Sequence, residues 1–370
     1  MRPPRVLIIT ADIGAGHDLP ARLLADGIRR RRPDAEVTIA DGLAEMGPIV
    51  VATIRRGSET ILQHMRPLFE LQYWLISCFA PTRWLMRKLS LLVGADALLR
   101  LVARTRADVV VSTYPGTSEM LGTMRAQGLL RVPCASAVTD LAALRYWAHP
   151  HIDLHLLIHA ESRAEVAAVA GPAAPALHVR GFSRPEFEHP PPPAEARAAL
   201  GLPTEAPVVL ISGGGWGIGD LEGAARVALA LPGATVACLC GTNAQLRARL
   251  GRAFAGDVRL RLEGFTERMP EWLSAADVLV HSTAGLTVVE AQMCGTRVIS
   301  YGWGVAHVRE NNRAYLRFGL ADVATTEEQL AAALRRALAS PRPPDGSFAA
   351  LPTAADAVLE LIAEPPRSAG

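Results

Sequence analysis

The 370-residue sequence is almost without lysine: Lys88 stands alone among 38 basic residues, and all the others are arginine. Against 36 acidic residues this leaves a formal net charge of only +2. A protein that grips nucleic acid by releasing counterions needs a concentrated basic excess, so no nucleic-acid partner is expected. The arginine bias, with the abundant alanine, reads as a GC-rich coding preference rather than a functional signal. Cysteine is sparse and odd in number, at Cys78, Cys134, Cys238, Cys240 and Cys294, mostly within apolar runs. No Cys-x-x-Cys pair or zinc-ligand spacing occurs, which points to buried thiols in a reducing compartment. Long apolar runs are missing as well. No stretch of about 18 uncharged apolar residues exists, so no spanning helix is expected. The apolar run from Val6 to Ile9 is too short for a secretory signal. These absences predict a cytoplasmic protein, at most peripheral on the inner face of the plasma membrane.

Half of the residues are hydrophobic and one in five is charged, enough to build a core. The length predicts two domains. Arg5 to Thr10 is a short β-branched apolar run, followed by a glycine-bearing loop (Asp12-Ile-Gly-Ala-Gly-His17) and a helical pattern through Leu23, Leu24 and Ile28. That order reads as strand, turn and helix. Val37 to Ala40, Asp108 to Ser112, Cys134 to Val138 and Asp153 to Ile158 read as further strands, and Ile49 to Leu101 as mostly helical. The strongest linker candidate is Ser183 to Pro193, which ends in four prolines. After it the alternation restarts. Pro207 to Ser212, Thr235 to Cys240, Asp277 to His281 and Arg297 to Tyr301 read as strands, with helices over Asp220 to Leu231, Ala244 to Phe254 and Thr287 to Cys294. The expectation is an α/β protein with two Rossmann-like domains facing across a cleft. Its parts are residues 1–184, a linker 185–196, a second domain 197–350, and a C-terminal helix and tail 351–370.

Ligands of open α/β sheets bind beyond the carboxyl ends of the strands, so three loops carry the chemistry. In Gly14-Ala15-Gly16-His17 the glycines admit a close ligand, the following helix start favours negative charge, and His17 suits general-base work. A histidine that merely caps the helix is the plain alternative. The third glycine of a dinucleotide fingerprint is absent. Gly213 to Gly219 holds five glycines in seven residues and reads as a phosphate cradle or as a close inter-domain contact; it lacks the Walker ending. In Ser282-Thr-Ala-Gly-Leu-Thr-Val-Val-Glu290, residues Ser282, Gly285, Leu286 and Thr287 offer a helix start suited to a pyrophosphate, and Glu290 one turn on suits a vicinal diol. Thr287 to Glu290 also fits a capping box.

Together, IGAGH (13–17), ISGGGWG (211–217), GFTERMPEWLSAADVLV (264–280) and STAGLTVVEAQMCG (282–295) resemble the inverting glycosyltransferases. That family includes monogalactosyldiacylglycerol synthase, bacterial diacylglycerol glucosyltransferases and the enzyme that adds N-acetylglucosamine to the lipid-linked peptidoglycan precursor. Order and spacing match from Arg5 to about Ala324. The resemblance implies a GT-B fold, a UDP-sugar donor, a lipid acceptor, and no cofactor or metal, in keeping with the absence of any Asp-x-Asp. Val138-Thr-Asp140-Leu141, with Trp147 and His149 after it, looks closest to the diacylglycerol branch and belongs to the acceptor side with Gly14 and Gly16. By resemblance Glu290 holds the ribose hydroxyls, Phe265 meets the uracil, and Gly213, Gly214, Gly215 and the Ser282–Thr287 turn meet the phosphates. His17 leads as the base, with Asp140 as competitor or orienting partner. One departure stands out. The family places a sugar-reading Gln four positions before an Asn; here Asn311 holds the Asn position, His307 stands in place of the Gln, Val308 follows it, and Glu310 is the nearest substitute.

Arg55 to Leu101 interleaves Arg55, Arg56, Arg66, Arg83, Arg87 and Lys88 with Phe69, Tyr73, Trp74, Phe79 and Trp84. Such a segment fits an anionic membrane surface, each basic residue adding roughly 1 kcal/mol, or equally a core helix pair with solvated arginines. His149, His151, His155 and His159 invite a metal, but spacing by four on a strand does not gather ligands at one point. Three other functions use the same residues: transfer to a soluble metabolite, a nucleotide-sugar 2-epimerase, and a non-catalytic nucleotide-binding protein.

Overall fold

The computed structural model describes residues 2–11, 15–47, 51, 71, 73–75, 79–282, 285–302, 304, 307–343 and 348–363. Gly14, Arg55, Arg56, Arg66, Phe69 and Cys78 lie outside the described residues. The chain divides into two compact units. The first is Met1–Ser183 with 305–307 and Leu351–Gly370, and the second is Arg184–Gly304 with Val308–Ala350.

The first unit is built on six parallel strands: β1 (Arg5–Thr10), β2 (Glu36–Asp41), β3 (Val109–Ser112), β4 (Cys134–Val138), β5 (Leu154–Leu157) and β6 (Ala176–His178), in the order β2-β1-β3-β4-β5-β6. Strands β3 and β4 are buried throughout, and β1 beyond Arg5, as a parallel sheet covered on both faces requires. The helices that position the site are α1 (Ala15–Arg31), α2 (Gly42–Glu45), α3 (Ala80–Thr105), α4 (Pro115–Ala126) and α5 (Arg163–Ala170). The chain runs from β1 outward to β2, then returns to the other side of β1 with β3. The crevice beyond β1 and β3 is therefore the topological switch point, where open α/β sheets take ligands.

The second unit repeats the plan. Helix α6 (Pro193–Leu200) opens it, followed by β7 (Val208–Ser212), α7 (Leu221–Leu229), β8 (Thr235–Leu239), α8 (Ala244–Ala253), β9 (Leu260–Glu263), α9 (Met269–Ala275), β10 (Val278–His281), α10 (Leu286–Met293), β11 (Arg297–Tyr301), α11 (His307–Phe318), β12 (Asp322–Ala324) and α12 (Glu327–Ala339). The parallel order is β12-β11-β10-β7-β8-β9, so its switch point lies between β7 and β10.

A shared device starts the strands. Asp108, Asp153 and Asp277 each stand just before a strand, and each accepts the first backbone N–H of a neighbouring one: Arg5 (2.9 Å), Cys134 (2.7 Å) and Val208 (2.7 Å). Arg125 then holds Asp153, and Arg197 holds Asp277.

The structure differs from the sequence expectation at the linker and at three edge strands, and it shows the expected C-terminal helix. The proline stretch read as a linker to residue 196 opens a helix at Pro193, because proline in the first turn forfeits no intrahelical bond. Arg197 of that helix also donates to the carbonyl of Ala275, which ties the segment into the second unit. The C-terminal helix, α13 (Ala354–Ala363), packs on α1, where Ala355 meets Gly27 and Arg31 pairs with Asp356 at 3.1 Å. Finally, β6, β9 and β12 escape sequence reading, being three- or four-residue edge strands that are mostly half-exposed.

Among the described residues, no helix is long and apolar enough to cross a membrane, and no group of three or more His, Cys, Asp or Glu is arranged to hold a metal ion. Cys134, Cys238, Cys240 and Cys294 are buried and free.

Candidate functional site

Each unit gathers candidate residues at its own switch point. In the first, His17 lies in the first turn of α1, just beyond β1, and Thr113 directly follows β3. The His17 Nδ1 sits 3.0 Å from the Thr113 carbonyl, and the Thr113 hydroxyl donates back to the His17 carbonyl at 3.0 Å. A carbonyl only accepts, so Nδ1 carries the proton and the lone pair of the neutral ring is on Nε2. The ring packs edge-on to Tyr114 (5.2 Å between centroids) and tilted against Trp147 (5.9 Å). This arrangement is more than a helix cap, since the side chain spans two strand ends.

Asp140, two residues beyond β4, is half-buried. It accepts the Trp147 indole N–H at 2.9 Å. The chain returns to make that bond because Ala143 adopts φ 64°, an uncommon left-handed turn for a non-glycine, and leads into the short turn Leu144–Tyr146. Trp147 is almost fully buried among Val138, Leu144, Leu157 and Val166. His17, Trp147 and Asp140 thus form one contact series, with Trp147 between the histidine and the carboxylate. Gly16 faces open space.

His149 sits apart from this series. It is buried against α4, where Gly122 leaves room for its ring, a Cβ there falling 2.3 Å from His149 Cγ. Its Nδ1 accepts the His151 backbone N–H, and its own backbone N–H donates to His155 Nε2. Burial pushes the His149 ring down to about 4 and His159 to about 3. These histidines are neutral, and His149 and His155 are spent on backbone bonds rather than converging on a metal.

In the second unit the glycine turn follows β7, and the structure shows what most of its glycines are for. A Cβ at Gly213 would lie 2.4 Å from the Ile218 carbonyl, at Gly217 2.5 Å from the Cys240 carbonyl, and at Gly219 2.1 Å from Ser282 Oγ. Gly214 has φ 68°. Only Gly215 has a normal φ and open space around it. The amides of Gly214, Gly217 and Ile218 are spent on Ser212 Oγ, the Gly214 carbonyl and the Gly213 carbonyl. Most of the glycines therefore serve a tight turn, and Gly215 marks where a ligand can approach.

Beyond β10, Ser282 and Gly285 lead into α10, with Leu286 and Thr287 in its first turn. The helix is capped by Gly285 with no side-chain cap bond, so the capping-box reading of Thr287 and Glu290 is not realised. Glu290 is 6% exposed. Among the described residues its carboxylate has no hydrogen-bond or ion-pair partner, and its oxygens are not among the fully enclosed orphaned polar atoms. Burial raises it to about 7, against a weaker opposing pull from Arg184. Phe265, two residues beyond β9, is 67% exposed, and Trp216 is 54% exposed. Large aromatic faces left in solvent at the carboxyl edge suit stacking on a flat ring.

His307 opens α11, but its side chain lies outside the description. Val308 is half-buried. Glu310 pairs with Arg313 one turn on at 2.6 Å, so as a substitute for the missing Gln it is already engaged. Asn311 is fully buried, and so is Asn312, which accepts from Ser300 Oγ at 2.6 Å and donates to the Gly302 carbonyl. Sequence reading missed Asn312, Thr113 and His281. Only Thr113 and His281 left a signal, as polar residues at the ends of apolar runs.

Residues 17–174 match the family model for monogalactosyldiacylglycerol (MGDG) synthase, and residues 222–340 the model for glycosyl transferases group 1. A probable chloroplastic monogalactosyldiacylglycerol synthase of Nicotiana tabacum is 27% identical over 315 residues, which is 80% of this chain and 57% of that protein. The chain therefore spans little more than half the length of that plant relative. A processive diacylglycerol beta-glucosyltransferase of Staphylococcus saprophyticus is 22% identical over 78% of this chain and 72% of its own. The crystal structure of Anabaena Alr3699/HepE in complex with UDP-glucose superposes with a TM-score of 0.53 at 15% identity, covering 97% of this chain and 98% of that one. The chain thus has the GT-B fold, and in sequence it is similar to monogalactosyldiacylglycerol synthases and diacylglycerol glucosyltransferases.

Proposed function

We propose that the protein is an inverting glycosyltransferase that moves a hexosyl group from a UDP-sugar to a hydroxyl of a diacylglycerol-like lipid. The observation that carries the reading is Glu290: a buried carboxylate without a partner among the described residues, one turn into a helix that starts beside the glycine turn. A buried carboxylate left unpaired is costly. Two vicinal hydroxyls of a ribose would satisfy it. The α10 start and the Gly215 approach would then lie along the diphosphate, and Phe265 would cover the base. The relatives named for diacylglycerol and galactolipid products, and the neighbour solved with UDP-glucose, support the same substrates.

The mechanism is direct displacement. His17 Nε2 takes the proton of the acceptor hydroxyl as that oxygen bonds to the anomeric carbon. The bond from that carbon to the diphosphate oxygen breaks on the opposite face, its electron pair leaves with UDP, and the product is a β-glycoside. The Thr113 carbonyl fixes the tautomer this step needs, and Trp147, anchored by Asp140, backs the ring. Asp140 is the orienting partner in this reading. The charge on departing UDP is met by the first turn of α10 and by the backbone approach at Gly215, with no metal and no other cofactor.

The protein works at an anionic membrane surface, peripheral on the inner face of the plasma membrane. On α3, Leu85, Met86, Leu89, Leu92 and Val93 are exposed along one side, Leu92 at 83%. Trp84 is exposed beside them, with Lys88 Nζ 4.1 Å above its ring. Arg87, itself exposed, turns instead to the buried Glu119 of α4. The test is incubation with a panel of UDP-sugars and a bacterial lipid extract, read by mass spectrometry for a lipid one hexose heavier, repeated with a metal chelator present. New hexosyl lipid formed equally with chelator supports metal-independent hexosyl transfer to a lipid hydroxyl. Absence of any glycolipid together with absence of UDP binding overturns it.

A further inference from the structure

Resting on the nucleotide reading above, we propose that His281 is a positioning residue of the donor side, which sets the spacing of the two turns that face the diphosphate. His281 and Ser212 are the last residues of β10 and β7 and lie opposite each other in the parallel register. Beyond this pair the backbone ladder ends and the chains part, one into the glycine turn and the other into Ser282 and α10. The His281 Nδ1–H donates to the Ser212 carbonyl at 2.9 Å, an added rung made by a side chain where the backbone supplies none. Ser212 in turn receives the Gly214 amide on its hydroxyl. One connected series therefore runs from the start of one turn to the other, His281 to Ser212 to Gly214. The turns also touch further out, where a Cβ at Gly219 would fall on Ser282.

The ring is held for this task. His281 is 1% exposed, and burial pushes it down to about 4. It is a neutral donor throughout the physiological range, and the Nδ1 tautomer is dictated by the carbonyl it meets. The first unit uses the same construction, His17 Nδ1 on the Thr113 carbonyl at its own switch point. The two histidines differ in setting: His17 is half-buried, whereas His281 is enclosed and donates to the Ser212 carbonyl, through which it acts on the turn.

The experiment compares His281→Asn and His281→Leu in the full-length chain. Asn places an amide N–H near the position of Nδ1 and preserves the rung; Leu removes it. UDP affinity by calorimetry is expected to fall about 10-fold in the Leu variant, equivalent to ~1.4 kcal/mol, and to stay within about threefold of wild type in the Asn variant. Donor KM rises in the Leu variant while kcat holds. Amide hydrogen exchange in the nucleotide-free protein quickens at Gly214 to Ile218 in the Leu variant alone. Equal UDP affinity in all three proteins overturns the assignment, as does equal loss in both variants. If wild type binds no UDP, the nucleotide reading falls instead; the exchange pattern then decides the positioning role, and unchanged exchange in the Leu variant overturns that too.

Discussion

His17 and Thr113 hold each other twice across the switch point of the first sheet, ring to carbonyl and hydroxyl to carbonyl, both at 3.0 Å. Sequence puts these residues almost a hundred positions apart, and the parallel pairing of β1 with β3 makes them neighbours. His17→Ala is expected to lower turnover by 100-fold or more, the usual range for a lost general base. Thr113→Val keeps the carbonyl and loses only the hydroxyl, so it should cost about 1 kcal/mol of stability and much less activity. Steady-state kcat at saturating donor, with thermal melts, checks both. Near-normal turnover in His17→Ala would transfer the role of base to Asp140.

Glu290 predicts a pH dependence with a definite sign. Its carboxyl is raised from 4.5 to about 7 in the folded, ligand-free chain. Between those values the folded state holds a proton that the unfolded chain has released. Stability contributed at this site is therefore greatest below about pH 4.5, falls as pH rises to about 7, and is level above, with a slope of at most about 1.4 kcal/mol per pH unit. Glu290→Gln should be more stable than wild type at pH 8 and lose that advantage at pH 4.5. Because a diol favours the ionised form, UDP affinity should rise from pH 6 to pH 8 in wild type and stay flat in the variant. Denaturant melts and calorimetry over that range decide; unchanged UDP affinity in Glu290→Gln removes the ribose assignment.

The glycine turn separates folding from binding. Gly213→Ala puts a methyl against the Ile218 carbonyl backbone and should destabilise by about 2 kcal/mol or more. Gly215→Ala meets nothing within 4 Å, so stability should shift by less than about 0.5 kcal/mol, while UDP binding weakens measurably. A Gly215→Ala protein with wild-type UDP affinity would show that the ligand does not approach there.

The exposed face of α3 predicts surface binding that can be removed without unfolding. Leu92→Glu with Val93→Asp should abolish sedimentation with anionic vesicles and leave the melting temperature within a few degrees, since both side chains are already in solvent. Neutral vesicles should bind wild type more weakly than anionic ones, because Lys88 lies on the same stretch of the helix. Equal sedimentation of variant and wild type would leave α3 without a role at the membrane.

Much of the fold is legible in the residues because buried parallel strands are continuous apolar runs. The runs at Arg5 to Thr10, Cys134 to Val138 and Arg297 to Tyr301 match the observed strands to the residue. The edge strand Leu260–Glu263 reads as Leu-Arg-Leu-Glu and is exposed or half-buried along its length, so no such run marks it.

Composition and pattern alone determined two α/β units with loops rich in glycine at the strand ends, because burial imposes its period on a chain whatever its partners are. They also picked out His17 and Glu290 as groups with chemistry to offer, to which the family resemblance added Asp140. Only the tertiary structure decided what state those groups are in. Whether a carboxylate is satisfied, as Asp140 is by Trp147 and Glu290 is not among the described residues, depends on atoms brought from elsewhere in the chain. The same holds for the two histidine rungs: a hydrogen bond reaches about 3 Å, and sequence separation says nothing about which carbonyl will lie at that distance.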